Sequence, residues 1–193
     1  MPTDAITLLK NDHKTVKGLF AKFDKLGDRA VKSKREIVDK IIEELSIHAA
    51  IEEQVLYPAV REALPDVEDD ILESLEEHHV VKWTLSELES LSPDHERFKA
   101  KVTVLKESVE HHIEEEEDEW FPKVREALGR KSLQEMGEAM EKAKKVAPTR
   151  PHPRSPDTPP GNLVSGAVAG LADQARKAGK DAVKKATTRG RKR

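Results

Sequence analysis

The chain contains no cysteine. Disulfides, thiolate nucleophiles, iron–sulfur clusters and cysteine-bound zinc are therefore excluded. Aromatic residues are scarce, at 4%. No apolar run approaches the roughly 18 residues that a membrane span needs. The opening Met1-Pro2-Thr3-Asp4 lacks the basic region and apolar core of an export signal, so a cytoplasmic protein is expected. What the chain does have is charge. Charged residues make up 37%, set in long periodic runs of Glu, Lys, Leu and Ala, which favours an all-helical protein. A length of 193 residues holds one well-buried domain plus extras. The net charge of -3 hides a division: residues 148–193 carry 11 Lys/Arg against 3 Asp/Glu, and the remainder is acidic.

One pattern occurs twice. The stretch from His112 to Pro122 places Glu116 four residues after its histidine and ends on Phe121-Pro122. The stretch from His48 to Pro58 does the same with Glu52 and Tyr57-Pro58. Residues four apart share a helix face. At heptad spacing His112 and Glu116 continue the apolar stripe Val102, Leu105, Val109, while His48 and Glu52 lie in the stripe Ile41, Leu45, Val55, Ala59. A histidine and a carboxylate placed in an apolar stripe need a partner.

The first helix is expected from Thr3 or Asp4 to about Leu26, with His13 inside its stripe of Ile6, Leu9, Val16, Phe20 and Phe23. The second runs from about Ser33 to Leu64 and bends at Pro58. The third spans about Val67 to Leu91. Here His78 shares its face with Ile71, Ser74, Val81, Leu85 and Leu88, a more apolar frame than that of His79. Ser92-Pro93 is expected to open the fourth helix, which runs to Leu128 before Gly129. In it His112 faces inward, because the His111 frame of Val104, Ser108, Glu115 and Asp118 is a solvent face. His13 to His78 is 65 residues and His48 to His112 is 64, so the chain is one helix pair stated twice. The expected architecture is an antiparallel four-helix bundle.

Ser132-Leu133-Gln134-Glu135 reads as a capping box opening a short fifth helix to about Val146. The organisation is then a bundle with its fifth helix over 1–147, a Pro-rich linker over 148–162, and a flexible basic tail over 163–193. In that tail Leu163, Ala167, Leu171 and Ala175 form a thin helical stripe. Six prolines between Pro148 and Pro160 imply an extended linker that stays off the bundle. Tyr57, nine residues past His48 at about 100° per residue, lies half a turn from the histidine face and reads as packing, with an electron donor near a metal as the alternative.

The inward set is His13, His48, Glu52, His78, His112 and Glu116. Imidazole with carboxylate suits iron, manganese, zinc or copper and not calcium or magnesium. If both glutamates bridge a metal pair, roughly one position per metal stays open to a small guest. Four neutral imidazoles favour a reduced, doubly divalent pair over a carboxylate-rich set.

The order His…His-x-x-x-Glu…His…His-x-x-x-Glu over four helices, with Asp12-His13, Tyr57-Pro58 and the aromatic-Pro ending at Pro122, resembles the hemerythrin-like (HHE cation-binding) family. The resemblance covers residue 1 to about 128. It implies two non-haem iron ions, oxo- or hydroxo-bridged, with His13, His48, His78 and His112 as terminal ligands and Glu52 and Glu116 as bridges. Two departures stand out. Lys82 occupies the place of the fifth histidine of the oxygen-carrying hemerythrins. Their last carboxylate also falls five residues after its histidine, which points to Glu117, whereas repeat symmetry favours Glu116. The function implied is binding of oxygen, hydrogen peroxide or nitric oxide, with peroxide or nitric oxide detoxification as the leading chemistry; the alternative is a non-enzymatic oxygen, redox or iron sensor or carrier. The basic tail is expected to meet an anionic partner, nucleic acid or a membrane surface.

Overall fold

The computed structural model describes residues 3–190, with side chains through residue 177. The described residues form helices and no strand: α1 (Ala5–Asp24), α2 (Val31–Ile51), α3 (Tyr57–Ala63), α4 (Glu68–Ser90), α5 (Phe98–Glu114), α6 (Phe121–Lys144) and α7 (Gly161–Gly190). The expected antiparallel four-helix bundle is the fold: α1, α2 with α3, α4, and α5 running on into α6.

Asp4 caps α1, its carboxylate accepting from the Thr7 backbone N–H at 3.0 Å. The inward faces follow the apolar frames of the sequence, and they build two cores. One gathers Val16, Phe20, Val38, Ile41, Leu85, Phe98 and Leu105 at one end of the bundle. The other gathers Ile6, Leu9, Leu56, Tyr57, Ile71, Trp120 and Phe121 at the opposite end. Burying each large side chain contributes about 1.5–3 kcal/mol, so the two clusters make a rigid frame. His13, His48, His78 and His112 lie in the layer between them.

Both long inner helices loosen at the same place. A π-helical turn spans Glu52–Leu56 and another spans Glu115–Trp120. Each is followed by an aromatic residue and a proline. Tyr57 N–H reaches the Glu52 carbonyl and Phe121 N–H reaches the Glu116 carbonyl, each five residues back. Proline removes a donor and crowds the carbonyl four residues behind it. Widening the turn relieves that clash without ending the helix. The bend expected at Pro58 is thus a π turn placed ahead of it.

Two local expectations change. The fourth helix begins at Phe98 and not at Ser92-Pro93, because the Ser92 hydroxyl bonds Asp94 while the chain makes successive turns, His95 N–H to Ser92 O and Phe98 N–H to His95 O. The fifth helix needs no capping box at Ser132. Gly129 takes φ 69°, a left-handed conformation open to glycine, and kinks α6 in a single residue. Beyond the kink Gly137 crosses the start of α1 so closely that a Cβ would lie 2.1 Å from Thr3 O.

The largest change concerns residues 148–177, which lie on the bundle. Pro148 and Pro151 are buried. Arg150 pairs with Glu89, and the Arg154 guanidinium sits 5.3 Å from the centre of the Trp83 ring. Asp173, buried, accepts from Thr149 N–H at 3.1 Å and lies 3.2 Å from His152 Nε2. The expected stripe on α7 faces outward, with Leu163 49% and Leu171 64% exposed. Its packed face is Asn162, Gly166, Gly170 and Asp173. Small residues let this helix approach by its backbone: a Cβ on Gly170 would lie 2.0 Å from Val146 O. Such packing buries few large apolar groups and leaves no hydrophobic period to read. The positions expected beyond 177 lie outside the described side chains.

Candidate metal centre

His13 enters from α1, His48 from α2, His78 from α4 and His112 from α5, all buried. Glu52 and Glu116, the first buried residues of the π turns, are fully enclosed. The structure brings all six residues together. The four Nε2 atoms point inward, with His13 and His48 3.2 Å apart and His78 and His112 3.3 Å apart. Glu52 Oε2 lies 3.1 Å from His48 Nε2 and 3.4 Å from His78 Nε2. Glu116 reaches both sides as well, Oε2 at 3.2 Å from His13 Nε2 and Oε1 at 3.5 Å from His112 Nε2. Each carboxylate therefore stands between an imidazole of the first half and one of the second. Two ligand groups result: His13, His48, Glu52 and Glu116, and then Glu52, His78 and His112.

Every outward Nδ1 faces a carboxylate. His13 Nδ1 donates to Glu117 at 2.8 Å, His78 Nδ1 to Glu53 at 3.0 Å, and His112 Nδ1 to Glu77 at 2.7 Å. His48 Nδ1 is 3.7 Å from Asp12 Oδ2, the loosest of the four. This arrangement fixes ring orientation and leaves Nε2 for a metal. It also separates Glu116 from Glu117: the first is inside the cluster, the second supports His13 from outside and pairs with Lys10 at 3.4 Å. Lys82 stays outside too, bound to Glu53. His79 is exposed and accepts from Trp83 Nε1–H at 3.1 Å, and His111 is 64% exposed beside Glu115.

Electrostatics match a cation-binding cage. Burial opposes charge on His48, but the adjacent Glu52 carboxylate, helped by Asp12 and Glu116, lifts it to about 10. His78 is lifted to about 9 against the same burial by Glu52 and Glu53. Burial disfavours charge on Glu52 too, yet His48 and His78 hold it well below the usual carboxylate range. Both Glu52 oxygens and Glu116 Oε2 are buried without a hydrogen bond among the described residues. Orphaned carboxylate oxygens amid inward imidazole nitrogens fit a metal pair, which would satisfy them together. A cavity of about 20 Å³ adjoins the imidazoles, walled by Val16, Leu45, Val81 and Val109 among others, with room for one water-sized guest.

Tyr57, expected to pack, is buried and is also part of the site. Its hydroxyl donates to Glu116 Oε1 at 3.3 Å and lies 3.3 Å from His78 Nε2. The widened π turn rotates the chain less per residue than a regular helix, which swings Tyr57 back toward the histidine face. Burial, then the charges of Glu52 and Glu116, push the phenol well above its ordinary range, so it stays protonated. The signal available was the repeated aromatic-Pro pair. Glu53 and Glu77 were missed as well, although both are marked by the repeat: Glu53 matches Glu117 as Asp12 matches Glu77.

The hemerythrin HHE cation-binding domain model matches residues 4–124. The chain belongs to this family. An uncharacterised hemerythrin-like protein of Schizosaccharomyces pombe is 31% identical over 139 residues, covering 72% of this chain and 68% of the relative. A protein of Nostoc named as a DNA nickase is 29% identical over 137 residues, 71% of this chain but 38% of its own length. Among solved structures, a hemerythrin HHE cation-binding domain-containing protein from Mycobacterium kansasii superposes with a TM-score of 0.62 at 27% identity, covering 74% of this chain and 88% of that one. Hemerythrin HHE domains bind metal cations, and the clustered His and Glu side chains here could hold a metal ion. None of the described helices is long and apolar enough to cross a membrane.

Proposed function

We propose that this protein holds two non-haem iron ions and uses them to bind and turn over a small oxidant, with hydrogen peroxide or nitric oxide as the guest. One observation carries the reading: Glu52 and Glu116 each face imidazoles from both halves of the bundle, as bridging carboxylates would. His13 and His48 would hold one ion, and His78 and His112 the other. Bound iron would supply reversible one-electron redox chemistry and a position for the guest. The chain's own residues do the rest. Glu117, Glu53 and Glu77 lock three imidazole rings by their Nδ1 hydrogen bonds. The apolar walls of the cavity keep bulk water from the imidazole layer. Tyr57 holds a proton at its hydroxyl, beside Glu116 and on the His78 side only.

Rapid mixing of the iron-loaded protein with hydrogen peroxide tests this. Oxygen evolved over many turnovers, two peroxides giving one oxygen and two waters, supports a catalytic centre. A single stoichiometric oxidation supports the second reading, a sensor. That reading is favoured by the seating of α7 directly on Glu53, the residue that orients His78.

We further propose that the basic C-terminal residues bring the domain to nucleic acid. The excess of Lys/Arg in residues 148–193 supports an anionic partner, and the Nostoc relative is named for action on DNA. A gel shift lost between low and moderate salt would support it, and binding to anionic vesicles instead would redirect it to membranes.

A further inference from the structure

The π turn at Glu52–Leu56 leaves one backbone group stranded. Tyr57 N–H is taken by the Glu52 carbonyl. At that spacing the next donor would be residue 58, a proline without an N–H, so the Glu53 carbonyl has no helical partner. A buried orphan carbonyl is costly. Its donor comes from 109 residues further along: Asn162 Nδ2, in the first turn of α7, donates to Glu53 O at 2.9 Å. Asn162 is 3% exposed, and its Nδ2 also donates to Asp157 O at 2.9 Å. One turn later Gly166 sits against Gln54, where a Cβ would come within 2.6 Å of Nε2. The C-terminal segment is thus fastened to the π turn at the residue whose side chain grips His78 Nδ1 and Lys82. In the other half the counterpart Glu117 is 26% exposed and bonded to His13 and Lys10.

We propose that Asn162 is a positioning residue for the second half of the centre, acting through Glu53 on His78, and that α7 is a strap whose seating is linked to metal at His78 and His112. The inference rests on the metal-binding reading of the site. Rotation of the π turn would carry the Glu53 carboxylate off His78 Nδ1 and free the ring to turn its Nε2 out of the cluster. The Asn162 bond opposes that rotation. Linkage is reciprocal: metal that fixes His78 fixes Glu53 and so the strap, and a seated strap strengthens metal binding by the same factor.

The test uses the full chain with Asn162→Ala and Asn162→Asp, both of which remove the donor. In the metal-free protein, the imidazole N–H signal of His78 should exchange with water about tenfold faster in the variants, while that of His112, held by Glu77, stays unchanged. In wild type loaded with ferrous iron, amides of residues 161–170 should exchange more slowly than in the metal-free chain, and both variants should lose that difference. Chelator should then withdraw one iron about tenfold faster and the other at the wild-type rate. Equal acceleration at His78 and His112, or a strap whose exchange ignores metal in wild type, overturns the proposal. A chain that takes up no metal refutes the metal reading instead, and the metal-free His78 signal still decides the positioning role.

Discussion

The first and second halves of the bundle carry the same equipment in the same order, and they differ at its edges. Asp12 stands opposite His48 at 3.7 Å, where Glu77, one methylene longer, reaches His112 at 2.7 Å. Asp12 is also drawn to Lys144 of α6. Phe121 stacks on His13 with its ring only 9° from parallel and 6.0 Å away, while Tyr57 stacks on His78 at 5.5 Å and adds a hydroxyl. Glu53 is enclosed by the strap, and Glu117 is open. The duplicated core therefore offers the proposed metal pair two similar positions, and the surrounding residues make them unequal. Both positions have Glu52 and Glu116 within reach, and only the second, at His78 and His112, adds a phenol and the C-terminal segment.

The largest effect should come from a residue that belongs to both positions. Glu52→Ala should abolish binding of both metals, read as metal per chain after native purification. His78→Ala should cripple loading at the second position, whereas retention of both metals would show that the halves are not divided as described.

Setting His78→Ala against His79→Ala tests the register. His79→Ala should change stability by no more than about 0.5 kcal/mol, because His79 is exposed and outside the cluster. His111→Ala should be as mild against His112→Ala, measured by thermal melts with and without metal. Equal losses within either pair would contradict the helix phases.

These phases were legible because the metal layer lies inside regular apolar stripes. His13, His48, His78 and His112 could be placed by counting, and the offsets of 65 and 64 checked one half against the other. Counting failed wherever the turn was not α-helical. Tyr57 was misplaced because a π turn intervenes, and the start of α5 because Ser92 spends its hydroxyl on Asp94. The strap was invisible for a different reason. Asn162, Gly166 and Gly170 hold it by backbone approach and hydrogen bonds, which leave no hydrophobic pattern.

A smaller, pH-dependent effect should mark the metal-free protein. His48 and His78 are raised to about 10 and about 9 in the folded state, above the ordinary value of 6.5. Their contribution to stability is therefore complete below about pH 6.5 and is lost as pH rises through 9 and 10. Urea melts across that range should show the metal-free chain weakening. Metal competes with protons for the same nitrogens, so the stabilisation gained on loading should grow with pH.

The smallest effect should come from exchanging the aromatic edges. Tyr57→Phe removes one buried hydrogen bond and should cost about 1 kcal/mol without changing metal content. It should alter the reaction with peroxide and the optical spectrum of the loaded protein, while Phe121→Leu, on the His13 side, should leave the hydroxyl-dependent features in place. Identical spectra for wild type and Tyr57→Phe would remove the phenol from the account.

The central claim is that Glu52 and Glu116 join two metal positions into one centre. Titration of the metal-free full chain with ferrous iron under nitrogen, followed by air oxidation and magnetic measurement, addresses it directly. The account requires about two irons per chain, spin-coupled to each other, with near-ultraviolet absorption that develops only as the second equivalent is bound. One tightly held iron per chain, or two that behave as magnetically isolated ions, would contradict it.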